Sequence, residues 1–467
     1  MNRRDFLKNS GAAVVATSAV LTACKKVSQP KNTIYSANET VGEMTLRINP
    51  NTGDNVSLLG FGMMRLPVQA GGTARENPDS PIDQDIVNEM VDYALEHGVN
   101  YFDTSPAYCQ GLSEQSTGIA LKRHNRSSYY IATKLSNFSP DTWSEKESKA
   151  MFERSLQYLQ TNYIDYLLLH GIGMSGGGRD GMGAFEGRYI ENGILDWLVE
   201  QKHKGRIRNL GFSYHGDIKV FDLLLKWHDE GKYHWDFVQI ELNYLDWDYA
   251  KEINPRNTNA RYLYAELEKR GIPGVVMEPL LGGRLAHQPD AIASRFRQRD
   301  PQATMAQWAM RFAGTPKGIL TVLSGMTYME HLQENVHTYS PLLPLSLDEE
   351  QFMLQLARDI VELKAIPCTA CNYCMPCPYG LNIPAIFSHY NKCIAENKMP
   401  QYGDDDRKHY NKQRRAFLVG YDRSVPRLRQ ADHCIGCNHC VSHCPQRIDI
   451  PEEMQRINRF VERLKQD

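Results

Sequence analysis

The sequence predicts an α/β protein: a TIM (β/α)8 barrel entered through an N-terminal β-hairpin and followed by a small α-rich C-terminal domain centred on cysteines. Three observations point there. Between residues 44 and 345, apolar strand-like runs alternate with amphipathic helical runs, and eight such strands can be traced. No Gly-x-Gly-x-x-Gly turn follows the first of them, which argues against an open doubly wound sheet. Eight of the eleven cysteines fall in two short runs, Cys368 to Cys377 and Cys434 to Cys444, beyond the last strand.

The stretch from Thr45 to Leu59 reads as two short strands around a turn containing Gly53, placed to cover the barrel floor. The barrel strands are expected at 58–64, 101–104, 129–134, 164–170, 207–213, 237–242, 274–278 and 319–323, with helices such as 85–97, 145–159 and 260–270 between them. Hydrophobic residues make up 42% and charged residues 23%, which excludes a mostly disordered chain. A formal net charge of −2 argues against a nucleic-acid binder. No run of about 18 apolar residues offers a membrane-spanning helix.

The chain begins with Arg3, Arg4, Asp5, Phe6, Leu7 and Lys8, then an apolar stretch from Gly11 to Ala23. A basic head, a short apolar core and small residues before a break read as a secretory signal over residues 1–23; the alternative is a short N-terminal helix that stays in place. The arginine pair resembles a twin-arginine export signal, and Leu21, Thr22, Ala23 and Cys24 resemble a lipobox. That resemblance implies lipid attachment at Cys24, a tether over residues 24–43, and a periplasmic or membrane-anchored lipoprotein.

The ends of the expected strands carry the chemistry. Asp103 ends the second, with Tyr108 five residues on; Lys134 ends the third and His170 the fourth. In a barrel these positions converge on the C-terminal mouth. Singly, each has a plain structural reading: Lys134 with Asp103 as a buried ion pair, Tyr108 as a loop aromatic, His170 as a satisfied histidine. Together at successive strand ends they resemble the catalytic tetrad of the aldo-keto reductase family, over about residues 45–340. The resemblance implies reduction of a carbonyl, or oxidation of an alcohol, with NAD(P)H. Tyr108 would be the acid/base, Lys134 would lower its pKa, Asp103 would keep Lys134 charged and His170 would orient the substrate.

The resemblance extends to the dinucleotide. Ser213 ends a fifth-strand signature, and Gln239 with Asn243 matches the sixth. Glu278, Pro279 and Leu280 match the seventh; Ser324, Gly325, Glu334 and Asn335 match the eighth strand and the helix on the adenine side. The glycines in these segments also read as turn geometry. Met277 stands where an aromatic often stacks on nicotinamide, and Tyr214 where asparagine is common. Tyr328 and His331 replace the cationic pair that often holds a 2′-phosphate, which favours NADH or dual use. The glycine-rich segment Gly173–Gly183 reads as a substrate lid or a plain loop.

After the barrel, Ser346 and Glu349 form the pattern of a capping box that opens a connecting helix. The second cysteine run, Cys434, Cys437, Cys440 and Cys444 before Pro445, has bacterial ferredoxin spacing; the first, Cys368, Cys371, Cys374 and Cys377, is one residue shorter before its last cysteine. In two-cluster ferredoxins the fourth cysteine of each run serves the other cluster. That implies one [4Fe–4S] on Cys368, Cys371, Cys374 and Cys444 and a second on Cys434, Cys437, Cys440 and Cys377. Structural zinc would leave cysteines over, and disulfides within such runs constrain little. Cys393 and Cys109 fit neither run and read as a small buried residue and a loop residue. Arg407, Lys408, Lys412, Arg414 and Arg415 make the intervening segment basic, a solvated face or a dock for an acidic redox partner.

These expectations describe a ferredoxin-like two-cluster domain over residues 346–467 behind a reductase barrel over residues 44–345. They give an exported oxidoreductase for a small carbonyl or alcohol. The competing readings are an electron-transfer module whose barrel binds without reducing, a surface binding protein on a borrowed fold, and clusters that are only structural.

Overall fold

The computed structural model describes residues 42–466 apart from 75, 289, 363–364, 369, 371, 397, 401–406, 442, 445 and 447. The signal at 1–23, Cys24, nearly all of the tether and Cys371 lie outside the described residues.

A two-stranded antiparallel hairpin comes first, β1 (Leu46–Ile48) and β2 (Asn55–Ser57). Eight parallel strands then close into a barrel: β3 (Leu59–Gly62), β4 (Tyr101–Asp103), β5 (Tyr130–Leu135), β6 (Ile164–Ile172), β7 (Ile207–Tyr214), β8 (Phe237–Glu241), β9 (Gly274–Met277) and β10 (Ile319–Gly325). Each pairs with its neighbour in sequence, and β10 returns to β3. All eight expected strands are present to within a few residues at either end.

The hairpin closes the floor by hydrogen bonding. Asn49 Nδ2 donates to Tyr166 Oη (3.2 Å) and Asn209 Oδ1 (3.1 Å), near the start of β6 and β7. Tyr166 Oη donates to Asp54 (3.0 Å), which also pairs with Arg208 (3.0 Å). Asn49, Asp54, Tyr166 and Asn209 are buried and partnered, as burial requires.

Two layers of apolar packing hold the barrel. One fills the interior with Val56, Tyr101, Ala132, Tyr166, Leu168, Phe237 and Val275. The other lies between the strands and the outer helices, among them Gln84–Glu96, Glu145–Tyr158 and Ala260–Glu268. The helix Leu347–Glu362 starts on the expected capping box, with Glu349 N donating to Ser346 Oγ (3.3 Å) and Ser346 N to Glu349 Oε2 (2.8 Å). It packs as a barrel helix: Met353, Leu356, Ala357 and Ile360 join the barrel core, and Phe352 meets Phe296 and Trp308.

A second apolar core begins at Ile366 and is built by the helices Ile383–Ala395, Arg407–Ser424 and Ile450–Gln466. The last helix is strongly amphipathic, placing Met454, Ile457, Val461 and Leu464 inward at helical spacing. Cys393 is buried there, as expected, and burial pushes its thiol up to about 11.

Gly211 corrects the turn reading of that glycine. It lies inside β7, and a Cβ there would come within 2.2 Å of the Phe237 carbonyl oxygen on β8. Only a residue without a side chain lets these strands pair. Gly211→Ala is therefore expected to destabilise the protein by about 1–3 kcal/mol, the usual cost of forcing atoms into a packed site. Urea denaturation checks this, and an unchanged midpoint would contradict the close-approach argument.

Candidate active site and cluster cavity

Side chains alternate along a strand, so residues two apart face the same side. The barrel interior contains Tyr101, Ala132, Leu168, Phe237 and Val275. Two residues further along each strand stand Asp103, Lys134, His170, Gln239 and Met277. All five face inward one layer nearer the C-terminal mouth, the layer where barrel chemistry sits.

The four residues of the expected tetrad meet there. Lys134 Nζ donates to Asp103 Oδ1 (2.6 Å) and to the Thr104 carbonyl (2.8 Å). Its ammonium lies 4.8 Å from the centre of the Tyr108 ring. The Tyr108 and His170 rings meet edge to face at 5.9 Å. Tyr108 is held by a turn in which Cys109 and Gln110 adopt left-handed backbone conformations (φ 49° and 56°), with Cys109 Sγ donating to the Met64 carbonyl (3.4 Å). Burial raises the Cys109 thiol.

Burial drives Tyr108 well above its ordinary range, and Asp103 and Glu278 push it further. Lys134 and Asp103 form a hydrogen-bonded pair with almost no exposed surface. Burial lowers Lys134 and raises Asp103, and the charge of each opposes the effect on the other. His170 is driven well below its ordinary range by burial, with Lys134 and Arg188 adding to the effect. Its Nδ1 is hydrogen-bonded to Ser136 Oγ (2.6 Å) and lies 3.3 Å from Ser105 Oγ.

The tetrad opens into a cleft of about 450 Å³. Gln239, Glu278 and Gly325 line it, and Met277 lies beside Gln239, whose Nε2 approaches Met277 Sδ at 3.3 Å. Gln239 Oε1 is buried without a hydrogen-bond partner. It is an acceptor placed to receive a carboxamide N–H, which fits a nicotinamide. A second cleft of about 600 Å³ adjoins the first, with Glu278, Pro279, Leu280, Ser324, Gly325, Glu334 and Asn335 on its walls. Asn335 Nδ2 donates to Ser324 Oγ (3.0 Å), tying the eighth strand to the helix Met329–Thr338. Left-handed backbone at Glu278, Leu281, Gly282 and Gly283 bends the chain around this cleft.

Ser213 departs from expectation. It is not among the residues lining either cleft, and its Oγ accepts a hydrogen bond from Gly171 N (2.8 Å). Asn243 likewise turns to Asp246 and the Glu278 carbonyl. Tyr214 is tied to the Gly216 carbonyl (2.6 Å) and Thr258. Tyr328 and His331 do line the second cleft. Of the glycine-rich segment, Met174 reaches the first cleft, whereas a Cβ on Gly177 would strike Trp143. Sequence reasoning missed Arg65, which lines both clefts and donates to Tyr373 Oη of the C-terminal domain (3.3 Å). Nothing in the spacing around Arg65 marks it.

The cysteine runs form the second centre. Cys368, Cys374 and Cys444 line one small cavity. Cys434, Cys377 and Cys437 all act electrostatically on Cys440. Cys371, expected with Cys368, Cys374 and Cys444, lies outside the described residues. The runs share a backbone pattern: Ala370 and Asn372 in the first, Gly436 and Asn438 in the second, are all left-handed. Such alternation turns successive N–H groups to one side, a nest suited to an anionic iron–sulfur group. Ala370 N already donates to Cys368 Sγ (3.4 Å). The donor set and its cradle therefore fit iron–sulfur clusters. Cys444 and Gln446 also line the active-site cleft, so the two centres share a wall.

Comparison with known proteins agrees with this geometry. The aldo/keto reductase family profile matches residues 58–352, and a 4Fe-4S dicluster domain profile matches residues 367–450. The chain is similar to the L-galactose dehydrogenase of Arabidopsis thaliana, 26% identical over 334 residues that cover 66% of this chain and 92% of that protein. It is similar to the D-arabinose 1-dehydrogenase of Saccharomyces cerevisiae, 32% identical over 137 residues, 27% of this chain and 36% of that protein. Among solved structures, an aldo-keto reductase from Bacillus halodurans in its holo form matches in fold with a TM-score of 0.50 at 24% identity, covering 67% of this chain and 96% of that one.

His170 yields a pH prediction. Its folded pKa lies below the ordinary 6.5, so the unfolded chain binds the proton more readily. The stability from burying the neutral ring is fully present above the unfolded pKa and declines as pH falls below about 6.5. NMR of the imidazole should show no titration of His170 across that range. A titration at its ordinary pKa would contradict the buried, neutral assignment.

Proposed function

The chain belongs to the aldo/keto reductase family and carries a 4Fe-4S dicluster domain, and from that premise we propose that its barrel interconverts a small carbonyl compound and its alcohol with a nicotinamide dinucleotide. The convergence of Asp103, Tyr108, Lys134 and His170 at one mouth carries this reading. When bound, the dinucleotide supplies or accepts the hydride. Tyr108 holds its proton at the pH of the cell and presents it to the substrate oxygen. As that proton moves, negative charge develops on the phenol beside the Lys134 ammonium, which Asp103 keeps in place. His170, neutral, fixes the carbonyl.

Gln239, Glu278, Pro279, Leu280, Ser324, Gly325, Glu334 and Asn335 would hold the dinucleotide. Arg65 is the one arginine or lysine among the described residues lining the second cleft, and His331 is pushed towards neutrality by burial, which favours NADH or dual use. On the substrate side, His215 pairs with Glu241 (2.9 Å), Asn257 donates to Glu241, and Asn254 stands beside them. This polar wall suits a hydroxylated substrate, and two relatives carry sugars in their names.

The C-terminal domain holds two [4Fe–4S] clusters, one on Cys368, Cys371, Cys374 and Cys444 and one on Cys434, Cys437, Cys440 and Cys377. They exchange electrons with the barrel cleft, a reading supported by the position of Cys444 on the wall of both cavities. The second reading keeps the clusters structural. Anaerobic mixing of the holoprotein with NADH and an aldehyde panel, followed by EPR, tests both. Tyr108→Phe should lower turnover by about 10²–10⁴-fold, the usual worth of a positioned proton donor. Undiminished turnover would remove Tyr108 from the chemistry, and cluster signals unmoved by NADH would favour the structural reading.

The protein is exported by the twin-arginine route and anchored through a lipid on Cys24. This rests on Arg3, Arg4 and the Leu21–Cys24 pattern, and on the need to export a cluster protein already folded. Mass spectrometry of the membrane fraction should find a lipid-modified peptide beginning at Cys24; an intact Met1 terminus would contradict it.

A further inference from the structure

Beyond Arg65 and Cys444, the barrel and the cluster domain reach into each other at two more residues. Gln446 follows the cluster cysteine Cys444 by two positions and lines the active-site cleft as well as the cysteine cavity. The residue is 7% exposed. Its Nε2 rests against Gly282, 3.1 Å from where a Cβ would stand, so the amide lies on a loop that lines both clefts. A side-chain amide at a cleft wall offers two donors and an acceptor to a polar ligand.

Arg284 makes the opposite reach. It sits two residues after Gly282 on the same barrel turn, Leu281–Ala286. Its Nη1 is buried without a hydrogen-bond partner. Its charge acts on Asp246 behind it and on Cys368 of the cluster domain. A buried guanidinium that lacks a full set of partners is costly unless nearby negative charge offsets it. A thiolate-bound cluster beside Cys368 supplies that charge.

We propose that Gln446 and Arg284 form a reciprocal clasp that links ligand binding in the barrel clefts to reduction of the cluster held by Cys368, Cys371, Cys374 and Cys444. The clasp rests on the dinucleotide and cluster readings given above. Reduction adds one negative charge to the cluster side of the Gly282–Arg284 turn. A dinucleotide brings a pyrophosphate to the other side. Both place negative charge against the same turn, whose Gly282 lines the clefts and whose Arg284 faces the cluster side, so binding and reduction oppose each other. Reciprocity then requires one factor in both directions: the reduced protein binds the ligand more weakly, and the ligand lowers the reduction potential of that cluster.

ADP-ribose carries the pyrophosphate but no nicotinamide, so it tests the linkage without hydride transfer. Calorimetry on anaerobic holoprotein should give a Kd about five-fold or more higher after dithionite reduction than before, within the usual span of allosteric coupling. An EPR-monitored redox titration should show one of the two cluster signals, and not the other, shifted to lower potential by saturating ADP-ribose. Gln446→Leu should keep both signals, weaken ADP-ribose binding and remove the dependence of Kd on redox state. Arg284→Gln should move the same signal to lower potential without any ligand. Equal Kd values in the two redox states, with an unshifted titration, would overturn the clasp while leaving the dinucleotide reading intact. Failure of ADP-ribose to bind in either state would overturn the dinucleotide reading and the clasp with it.

Discussion

A lysine ammonium with 1% exposure can stand in a barrel wall only if a counterion stands beside it. The Lys134–Asp103 pair meets that condition, and the arrangement of the site follows from it. β4 and β5 pair in parallel with Asp103 opposite Ala132, which puts Lys134 one inward step beyond and within 2.6 Å of the carboxylate. A one-residue slip would turn either side chain to the other face and leave a buried charge alone. The register of two strands therefore sets where the charge lies. Tyr108 is positioned over that charge by the left-handed turn at Cys109 and Gln110, and His170 is packed against Tyr108 and Phe138.

The C-terminal domain solves its problem with backbone instead of register. Each cysteine run bends through left-handed positions just before and just after its second cysteine, so that N–H groups and sulfurs face a common centre. The three helices around the runs bury a core that is small for a domain of this length. Because Cys444 of the second run joins Cys368 and Cys374 of the first, their cavity is not complete until both runs are placed. The same requirement fixes Gln446, and with it one side of the barrel cleft.

Much of the barrel was legible because its signals are local. Strand ends, the capping box at Ser346 and Glu349, and inward alternation all follow from short-range spacing. The crossed cysteine sets came from resemblance to two-cluster ferredoxins, and Cys368, Cys374 and Cys444 line one cavity. What the sequence could not show depends on distance across the fold. Arg65, Arg284 and Gln446 carry no motif; each matters because a loop from another element approaches it. Ser213 looked like a ligand residue because its motif ends there, but Gly171 N takes its hydroxyl oxygen. The rise in the Tyr108 pKa was illegible for the same reason, since it depends on burial and on Asp103 and Glu278 approaching, the latter from just past the end of β9. The helix Leu347–Glu362 read as a connection because its apolar stripe does not say which core it faces.

The shared wall bears on the mismatch between hydride and single-electron chemistry. Nicotinamide exchanges electrons in pairs and a cluster exchanges them singly, so simple proximity does not make the two react. Proximity does let each feel the other's charge. Arg65 joins the clefts to Tyr373, Arg284 lies between the barrel turn and Cys368, and Gln446 stands in the cleft itself. All three contacts connect the cleft side of the barrel to the segment around the cavity lined by Cys368, Cys374 and Cys444. A purely structural cluster would need none of them, because the helices Ile383–Ala395 and Ile450–Gln466 already close a core of their own. The contacts make sense if the state of the cluster alters what the cleft binds. The domain is then a wall of the active site whose charge can change.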